Sequence, residues 1–374
     1  MNFSFSEQDN QLFQDMESAL IKEKNILEPG ALQTKENIKT ALLTLQKNLF
    51  PLGYLNNPMD GMVSCLERMR IFARHQPSLF LGVEYSFRLF NEMIVRATDD
   101  QHRQALCKGL NIAEFPDKAV IGSIAICEDF VETDTGSSSL TAKISDKKIV
   151  LSGHKECVIN AGIADWIAIS ESIDGKKTLF FVPSKADGLV IAPLSNDRIF
   201  PELVKANIQF NNCKIDPNQI IPSVQDDLLS HIKFYENLAY IACSLAMMDQ
   251  CIEEAKNFAT AHQSENKPMF VHQAVGFSVA EMVTLKQTAE LLAFRSAWAL
   301  ETNDSEKQVL NQCAKVFCTE TAEKIASKSM DILGGQVLKN NCSAEQSLQN
   351  SKFAQLAGTS THIARVSIGD MVMK

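Results

Sequence analysis

The spacing of hydrophobic residues divides the chain into three stretches. In the first, apolar residues such as Leu12, Met16 and Leu20 recur every three or four positions, which is the period of an amphipathic helix. A break rich in Pro and Gly at 51–61 interrupts the pattern, which then resumes. We therefore predict an N-terminal helical domain over residues 1–118.

The pattern changes at about residue 119. Short runs rich in β-branched residues follow one another, and turn pairs such as Asp174-Gly175 and Asp187-Gly188 separate them. These runs predict strands at 119–127, 140–144, 149–151, 166–170, 178–182, 188–192 and 206–210. Strands this close together, with no helices between them, indicate an antiparallel barrel or sandwich and not a doubly wound sheet. We therefore predict a middle β domain over 119–221.

Helical periodicity returns in the last stretch of the chain. One apolar stripe includes Leu238 and Leu245, and a second includes Tyr240 and Met247. A helix that is apolar on two sides is buried between neighbours. The pattern predicts two further long helices, at 269–300 and 305–332, and then two shorter ones. We therefore predict a C-terminal helical bundle over 222–374, and an α+β multidomain fold as a whole.

Composition narrows the class of protein. Hydrophobic residues make up 45% and charged residues 22% of the chain, as in ordinary globular proteins. The net charge of −9 and the lack of basic clusters disfavour nucleic-acid and membrane partners. No apolar run reaches the roughly 18 residues of a spanning helix, and the N-terminal segment does not resemble a signal peptide. Because the ten cysteines include no CxxC pair, we expect reduced thiols and a cytoplasmic protein.

Motifs of several common enzyme classes are absent from the sequence. It contains no GxGxxG, P-loop, HExxH or GxSxG pattern, so dinucleotide-binding, NTPase, zinc-protease and hydrolase functions have no support. The seven histidines do not pair at metal-ligand spacing with each other or with cysteine. We therefore expect no metal site.

Several short motifs, in order along the chain, resemble the acyl-CoA dehydrogenase family. The stretch 123–142, with SIAICE followed by GSS and TA, resembles the family's middle-domain signature of TEP, GSD and TA. The stretch 151–165 resembles its NGxK, ITNA and AD sequence. Ile332-Leu-Gly-Gly335, and Ala357-Gly-Thr-Ser360 followed by Arg365, are similar to its GG turn and GTS segment. The match extends from about residue 5 to the C-terminus.

The resemblance implies a flavoenzyme that binds FAD and an acyl thioester of CoA or a carrier protein. A Glu removes the α-proton while the flavin takes the β-hydride and passes electrons to an acceptor. The family forms homodimers or homotetramers in which a neighbouring subunit's GG turn contributes to each FAD site. The implied cofactor-binding residues are Cys127, Ser137, Ile159, Gln273, Gly334, Gly335, Thr359 and Thr361. The implied substrate pocket, between the β domain and the bundle, contains Tyr240, Ala357 and Gly358 as well as Cys127 and Ile159.

The catalytic base departs from the commonest form of the family. Most members have a Glu directly before the GT of the last motif, where this chain has Ala357 or, with a shift of one, Gly358. A branch that includes the isovaleryl- and long-chain-specific enzymes takes its Glu from the start of the first long C-terminal helix, which here corresponds to Glu236. Two interpretations stay open: Glu236 is a relocated base, or it is a first-turn Glu that the helix dipole stabilises.

The positions implied to contact the flavin also depart from the family. Cys127 and Ile159 replace threonines, and His262 replaces an Arg that reaches the phosphates. Glu265 and Asn266 stand where the family has a Phe-Gly pair, and Asp331 replaces a Gln. A helix N-terminus and backbone amides could still hold FAD. We predict an FAD-dependent dehydrogenase; the alternatives are a flavin oxidase or monooxygenase on the same fold, and a non-flavin protein that uses the fold for binding or another reaction.

Overall fold

The N-terminal part of the protein is helical. The computed structural model describes residues 5–55, 61–110, 120–125, 140–145, 148–173, 176–194, 198–222, 224, 228–264, 266–338 and 342–373. The helices of this part are α1 (Glu7–Lys22), α2 (Lys24–Leu27), α3 (Lys35–Leu49), α4 (Met62–His75), α5 (Pro77–Val83), α6 (Phe90–Ala97) and α7 (Asp100–Leu110). Ser6 caps α1 by accepting a hydrogen bond from the Asp9 amide, and the Asp9 carboxylate accepts one from the Ser6 amide, so both ends of this capping box are satisfied.

The middle part consists of strands. They are β1 (Gly122–Ala125), β2 (Leu140–Ser145), β3 (Lys148–Ile159), β4 (Trp166–Ile173), β5 (Lys176–Pro183), β6 (Leu189–Pro193), β7 (Lys205–Ile215) and β8 (Ile220–Ile221). One sheet has the order β1-β4-β5-β8 and the other β2-β3-β7-β6. Neither sheet closes on itself among the described strands. The middle β domain is therefore confirmed as two open sheets, and the barrel form of the prediction is wrong.

One strand pairing differs from the predicted antiparallel arrangement. β1 lies parallel to β4, with Gly122 opposite Trp166 and Ala125 opposite Ile169. Parallel neighbours need a long crossover connection, and here the strands of the other sheet, β2 and β3, form part of that connection. The alternation of residues within β1 carries no information about the direction of its neighbour, which is why the sequence could not reveal it.

The C-terminal part is a bundle of long helices. They are α8 (Leu228–Ala261), α9 (Gln273–Glu301), α10 (Lys307–Leu333), α11 (Ser343–Leu356) and α12 (Thr361–Met373). α8 and α10 run in the same direction, because Asn237 contacts Asn311 and, further along, Ser329 donates to the Cys251 carbonyl. Every residue of α8 from Phe234 to Met248 is buried, as its two apolar stripes predict. Within the described residues, no helix has the length and apolarity that crossing a bilayer requires.

A π-helical turn joins α5 to α6. It covers Glu84–Leu89, and we call it the π segment. All six of its residues are buried. Single π turns within α-helices occur frequently at functional sites, because the wider turn changes the direction in which neighbouring side chains project. The π segment packs against both α8 and β1, so its side chains lie between the bundle and the β domain.

Candidate active site

A cavity lies where the three parts of the fold meet. The π segment contributes Tyr85 to its wall, β3 contributes Cys157 and Ile159, and α8 contributes Glu236. The turn that follows α11 closes it with Gly358. Most of the remaining wall is apolar, so a carboxyl group that faces this space is largely removed from water.

Glu236 is buried and lies well inside α8. The helix begins at Leu228, so Glu236 is in its third turn, and only 7% of the residue is exposed. The dipole effect is confined to the first turn of a helix, so the interpretation as a first-turn Glu is wrong. Burial raises the pKa of Glu236, and the hydrogen bond from Tyr85 and the charge of Lys315 oppose that rise. A buried carboxyl with a raised pKa in a cavity is a candidate general base.

Two tyrosine hydroxyls extend from Glu236 into the core. The Tyr85 hydroxyl donates to Glu236 Oε1, and the oxygens of Tyr85 and Tyr240 are 3.1 Å apart. Because a phenol has one proton to donate, Tyr240 is the donor in the second bond. Burial, with the charge of Glu236 next in importance, raises the pKa of both hydroxyls well above 10. Both therefore stay protonated at neutral pH and donate towards the carboxyl.

Lys315 brings a buried amine close to the same cluster. Its Nζ lies 4.4 Å from the centre of the Tyr240 ring, and it donates to the carbonyls of Ala354 and Ala357, the latter at 2.8 Å. Burial lowers the pKa of Lys315 to about 7, although the charge of Glu236 acts in the opposite direction. Lys315 therefore anchors the last turn of α11 and, when charged, attracts the carboxylate of Glu236.

The turn after α11 requires glycine beside Glu236. Gly358 has a φ of +68°, and a Cβ on it would lie 2.9 Å from Asn237 Oδ1 and 3.4 Å from the Glu236 carboxyl carbon. Asn237 fixes the turn, since its Oδ1 accepts from the Thr359 amide at 3.1 Å. Its Nδ2 donates to Asn311 Oδ1, also at 3.1 Å. Both the backbone angle and the available space exclude a side chain at this position.

The structure brings some of the predicted site residues together. Glu236, Ile159, Ala357 and Gly358 line one cavity, and Tyr240 reaches it through Tyr85. Two more of the predicted residues are close by: Thr359 accepts a hydrogen bond from Asn237, and Thr361 is buried at the first position of α12. The predicted positions Cys127 and Ser137, like Glu265, lie outside the described residues.

Other predicted cofactor residues lie far from this cavity. Gln273 is the first residue of α9, and Gly334 and Gly335 follow the end of α10; all three are exposed. Gly334 comes 19 positions after Lys315, which corresponds to about 28 Å along a helix that rises 1.5 Å per residue. His262 follows the end of α8 and belongs to the same distant end of the bundle.

Sequence reasoning missed Tyr85, Asn237 and Lys315. Lys315 gave a usable signal, because it stands in the buried stripe of α10 between Asn311 and Cys318, where a lysine has to find a partner. Tyr85 gave none, since the π segment reads as ordinary apolar helix. The direction in which the Tyr85 side chain projects follows from the π turn and from packing against α8, and no sequence motif marks either of them.

Comparisons with known proteins agree with this architecture. The sequence profile "Acyl-CoA dehydrogenase, C-terminal domain" matches residues 235–373. The human mitochondrial short-chain specific acyl-CoA dehydrogenase is 23% identical over 263 residues; the alignment covers 68% of this chain and 63%, less than two thirds, of that protein. A probable acyl-CoA dehydrogenase of Mycobacterium bovis is 20% identical over 381 residues, covering 96% of this chain and 95% of that protein.

A similar fold is found among solved structures. PigA with FAD and proline superposes with a TM-score of 0.85 at 15% identity, and the match covers 100% of this chain and 99% of that one. The matched profile contains Glu236, Lys315 and the turn at Gly358, so the family likeness includes the C-terminal part of the cavity wall. Residues 235–373 therefore form an acyl-CoA dehydrogenase C-terminal domain, and the chain as a whole has a fold similar to that of PigA.

Proposed function

We propose that the protein is an FAD-dependent dehydrogenase of acyl thioesters in which Glu236 removes the α-proton of the substrate. The observation that carries this proposal is the position of Glu236, which is buried in the cavity wall and receives a hydrogen bond from Tyr85. The α-proton of a thioester is only weakly acidic, so the base needs a fixed position and a pKa raised towards neutrality. Burial supplies the raised pKa.

The residues around the cavity suit a flavin. Ala125, Cys157 and Ile159 offer an apolar wall for an aromatic ring system. Thr359 and Thr361 provide hydroxyls at the start of α12, where unpaired helix amides favour phosphate. FAD, when bound, supplies the acceptor for the β-hydride. Ile159 offers no side-chain donor, so any hydrogen bond to the ring from this position comes from the backbone.

The reacting part of the substrate would enter between the β domain and the bundle. Ile232 and Phe353 line the cavity beside Glu236 and exclude water from the carboxyl. Exclusion of water strengthens the electrostatic interactions that act on the base. Lys315 holds the turn that carries Gly358, and the absence of a side chain at Gly358 lets this turn lie directly against the Glu236 carboxyl. The thioester is carried by CoA or by a carrier protein.

We also infer that the protein works as a homodimer or homotetramer. Gly334, Gly335 and Gln273 are at the opposite end of the bundle from Glu236, so one FAD could contact both groups only if they came from two chains. Phe277 and Leu338, near that end, are 71% and 87% exposed, so an assembly through this end would remove apolar surface from water.

A cytoplasmic location is part of the proposal. All nine cysteines in the described part of the chain are free thiols, and most of them are buried. So many free thiols in one chain are typical of proteins from a reducing compartment.

Visible absorption of the purified protein is the first test of this function, because bound flavin is coloured. The second is anaerobic mixing with a panel of CoA and carrier-protein thioesters, which should bleach the flavin in the wild type. We expect Glu236→Gln to bind flavin equally and to bleach about 10²–10⁴ times more slowly. A colourless protein that does not bind added FAD would favour the non-flavin alternative. Bound flavin that no thioester bleaches, but that consumes oxygen, would favour an oxidase or monooxygenase.

A further inference from the structure

We propose that Tyr85 is a positioning residue for Glu236: its hydroxyl holds the carboxyl against the cavity and, together with Tyr240, favours the carboxylate form. The inference deepens the proposed function, since it takes Glu236 as the base. It stands on the geometry of the π segment, in which Tyr85 projects towards α8 and its hydroxyl donates to Glu236 Oε1.

One side of the π segment is fixed by a buried polar cluster. Arg88 Nε donates to Glu84 Oε2 at 2.6 Å, and the Tyr54 hydroxyl donates to Glu84 Oε1 at 2.6 Å. Arg88 also donates to the Tyr54 carbonyl at 3.1 Å. At most 3% of each of these three residues is exposed. Charged partners this deeply buried cannot separate without a large loss of stability, so the residue directly before Tyr85 has a fixed position.

The other side of the π segment is tied to the β domain. Asn160 Nδ2 donates to the Gly82 carbonyl at 2.9 Å and to Ser86 Oγ at 2.7 Å. Ser86 Oγ in turn donates to the Gly122 carbonyl at 3.0 Å. The residues on both sides of Tyr85 therefore have fixed partners in different parts of the fold. The ring between them can reach α8 but has little freedom to turn away from it.

The surroundings of Glu236 show what the Tyr85 hydroxyl changes. On α8, Tyr240 is linked to the carboxyl through Tyr85, and the charges of Lys233 on α8 and Lys315 on α10 act on it. Glu156 and Cys157 line the cavity from β3. A hydrogen bond donated to the charged form of an acid lowers its pKa, whereas burial raises it. When Glu236 takes a proton from carbon, the C–H bond breaks, an O–H bond forms and the carboxyl becomes neutral. The bond from Tyr85 is therefore strongest before proton transfer, when the base has to be correctly placed.

The test measures the protonation of Glu236 directly. Infrared spectra of the purified protein, recorded against pH and assigned by subtracting Glu236→Gln, follow the stretching band of the protonated carboxyl. We expect Tyr85→Phe to raise the midpoint by about one pH unit, and Tyr240→Phe to shift it in the same direction by less. Tyr235→Phe is the matched control. Like Tyr240→Phe, it removes a buried tyrosine hydroxyl from α8, but the Tyr235 ring packs against His231 and Phe234. It should leave the midpoint unchanged.

Turnover provides an independent readout. In Tyr85→Phe we expect the acidic limb of the pH–rate profile to move to higher pH by the same amount, with kcat lowered at least tenfold and thioester affinity unchanged. A carboxyl midpoint in Tyr85→Phe equal to that of the wild type would overturn the inference, and so would an equal shift in Tyr235→Phe. If Tyr85→Phe does not fold, an unshifted midpoint in Tyr240→Phe would overturn it. A shifted midpoint in a protein that no thioester reduces would refute the dehydrogenase function alone and leave the role of Tyr85 intact.

Discussion

At the scale of single residues, opposing effects set the properties of Glu236. Burial makes its charged form costly, while the Tyr85 hydrogen bond and the charge of Lys315 make it less so. A base has to be deprotonated at working pH and still able to hold a proton, and a raised but moderated pKa meets both requirements. A solvent-exposed Glu at the same distance from a substrate would have too low a pKa to take up the proton.

The raised pKa of Glu236 predicts a direction for the pH dependence. The rate of flavin reduction should fall on acidification through a midpoint above 4.5, the ordinary value for Glu, because protonation removes the base. Lys315→Met removes a positive charge that favours the carboxylate, so it should move this midpoint further up. Stopped-flow reduction rates from pH 4 to 9 would measure both. A midpoint at or below 4.5 in the wild type would show that burial does not control this carboxyl.

Gly358 offers a test of the space beside the base. Gly358→Ala should destabilise the protein by about 1–3 kcal/mol, since its φ is +68° and the new Cβ would meet Asn237 Oδ1 at 2.9 Å. Gly276→Ala is the control, because Gly276 lies within α9 with no atom within 4 Å of its Cβ position. That change should stabilise by about 0.5–1 kcal/mol. Urea unfolding of both variants gives the comparison, and equal effects would argue against the described turn.

At the scale of elements, the π segment connects the N-terminal helices to the active site. Its Glu84–Arg88 pair is buried, with side chains 1% and 3% exposed. The next Glu–Arg pair with the same spacing, Glu92–Arg96 on α6, has side chains 23% and 38% exposed. The two pairs have the same chemistry and differ in burial. Substitutions of the two arginines therefore compare the cost of an unpaired buried charge with the contribution of an exposed ion pair to stability.

Arg88→Met should cost about 3–5 kcal/mol of unfolding free energy, because Glu84 would be left charged and buried without its partner. Arg96→Met should cost about 0.5 kcal/mol or less. The double variant Glu84→Gln/Arg88→Met should recover part of the loss, since no buried charge is left unpaired. Denaturant unfolding at neutral pH measures all three. Similar losses for Arg88→Met and Arg96→Met would mean that the Glu84–Arg88 pair is not buried in solution.

The sequence predicts these elements unevenly. The long helices and most strands follow from periodicity, because burial of an apolar face leaves a repeat of 3.6 or 2 residues in the sequence. The start of α8 at Leu228 was not predicted, and the depth of Glu236 in the helix depends on that start. The parallel pairing of β1 and the π segment are decided by contacts between distant parts of the chain.

At the scale of the whole molecule, the order of helices, sheets and helices was predictable, and it confirms the α+β fold class. The division of the site residues between two ends of the bundle was not, because it depends on the directions of α8, α9 and α10. Gly334 and Glu236 both belong to the family pattern, yet they are far apart in one chain. We therefore propose that two chains contribute to each FAD site.

The proposed assembly predicts a mass of at least twice 41.5 kDa by analytical ultracentrifugation at micromolar concentration. Phe277→Ser should weaken the assembly, because a side chain that is 71% exposed in the single chain would lose buried apolar contact with a neighbour. Val190→Ser, on the exposed side of β6 in the β domain, is the control and should not. A monomer that still binds FAD tightly would contradict the proposed sharing of the site.

The proposed removal of the α-proton of an acyl thioester by Glu236 can be tested by solvent exchange, without hydride transfer. Acetyl-CoA and 3,3-dimethylbutyryl-CoA carry α-hydrogens but have no β-hydrogen to give. In deuterated buffer, mass spectrometry follows the exchange of their α-hydrogens with saturating thioester. We expect the wild type to exchange these hydrogens about 10²–10⁴ times faster than Glu236→Gln does. Equal exchange rates in the two proteins, with both thioesters bound, would contradict it.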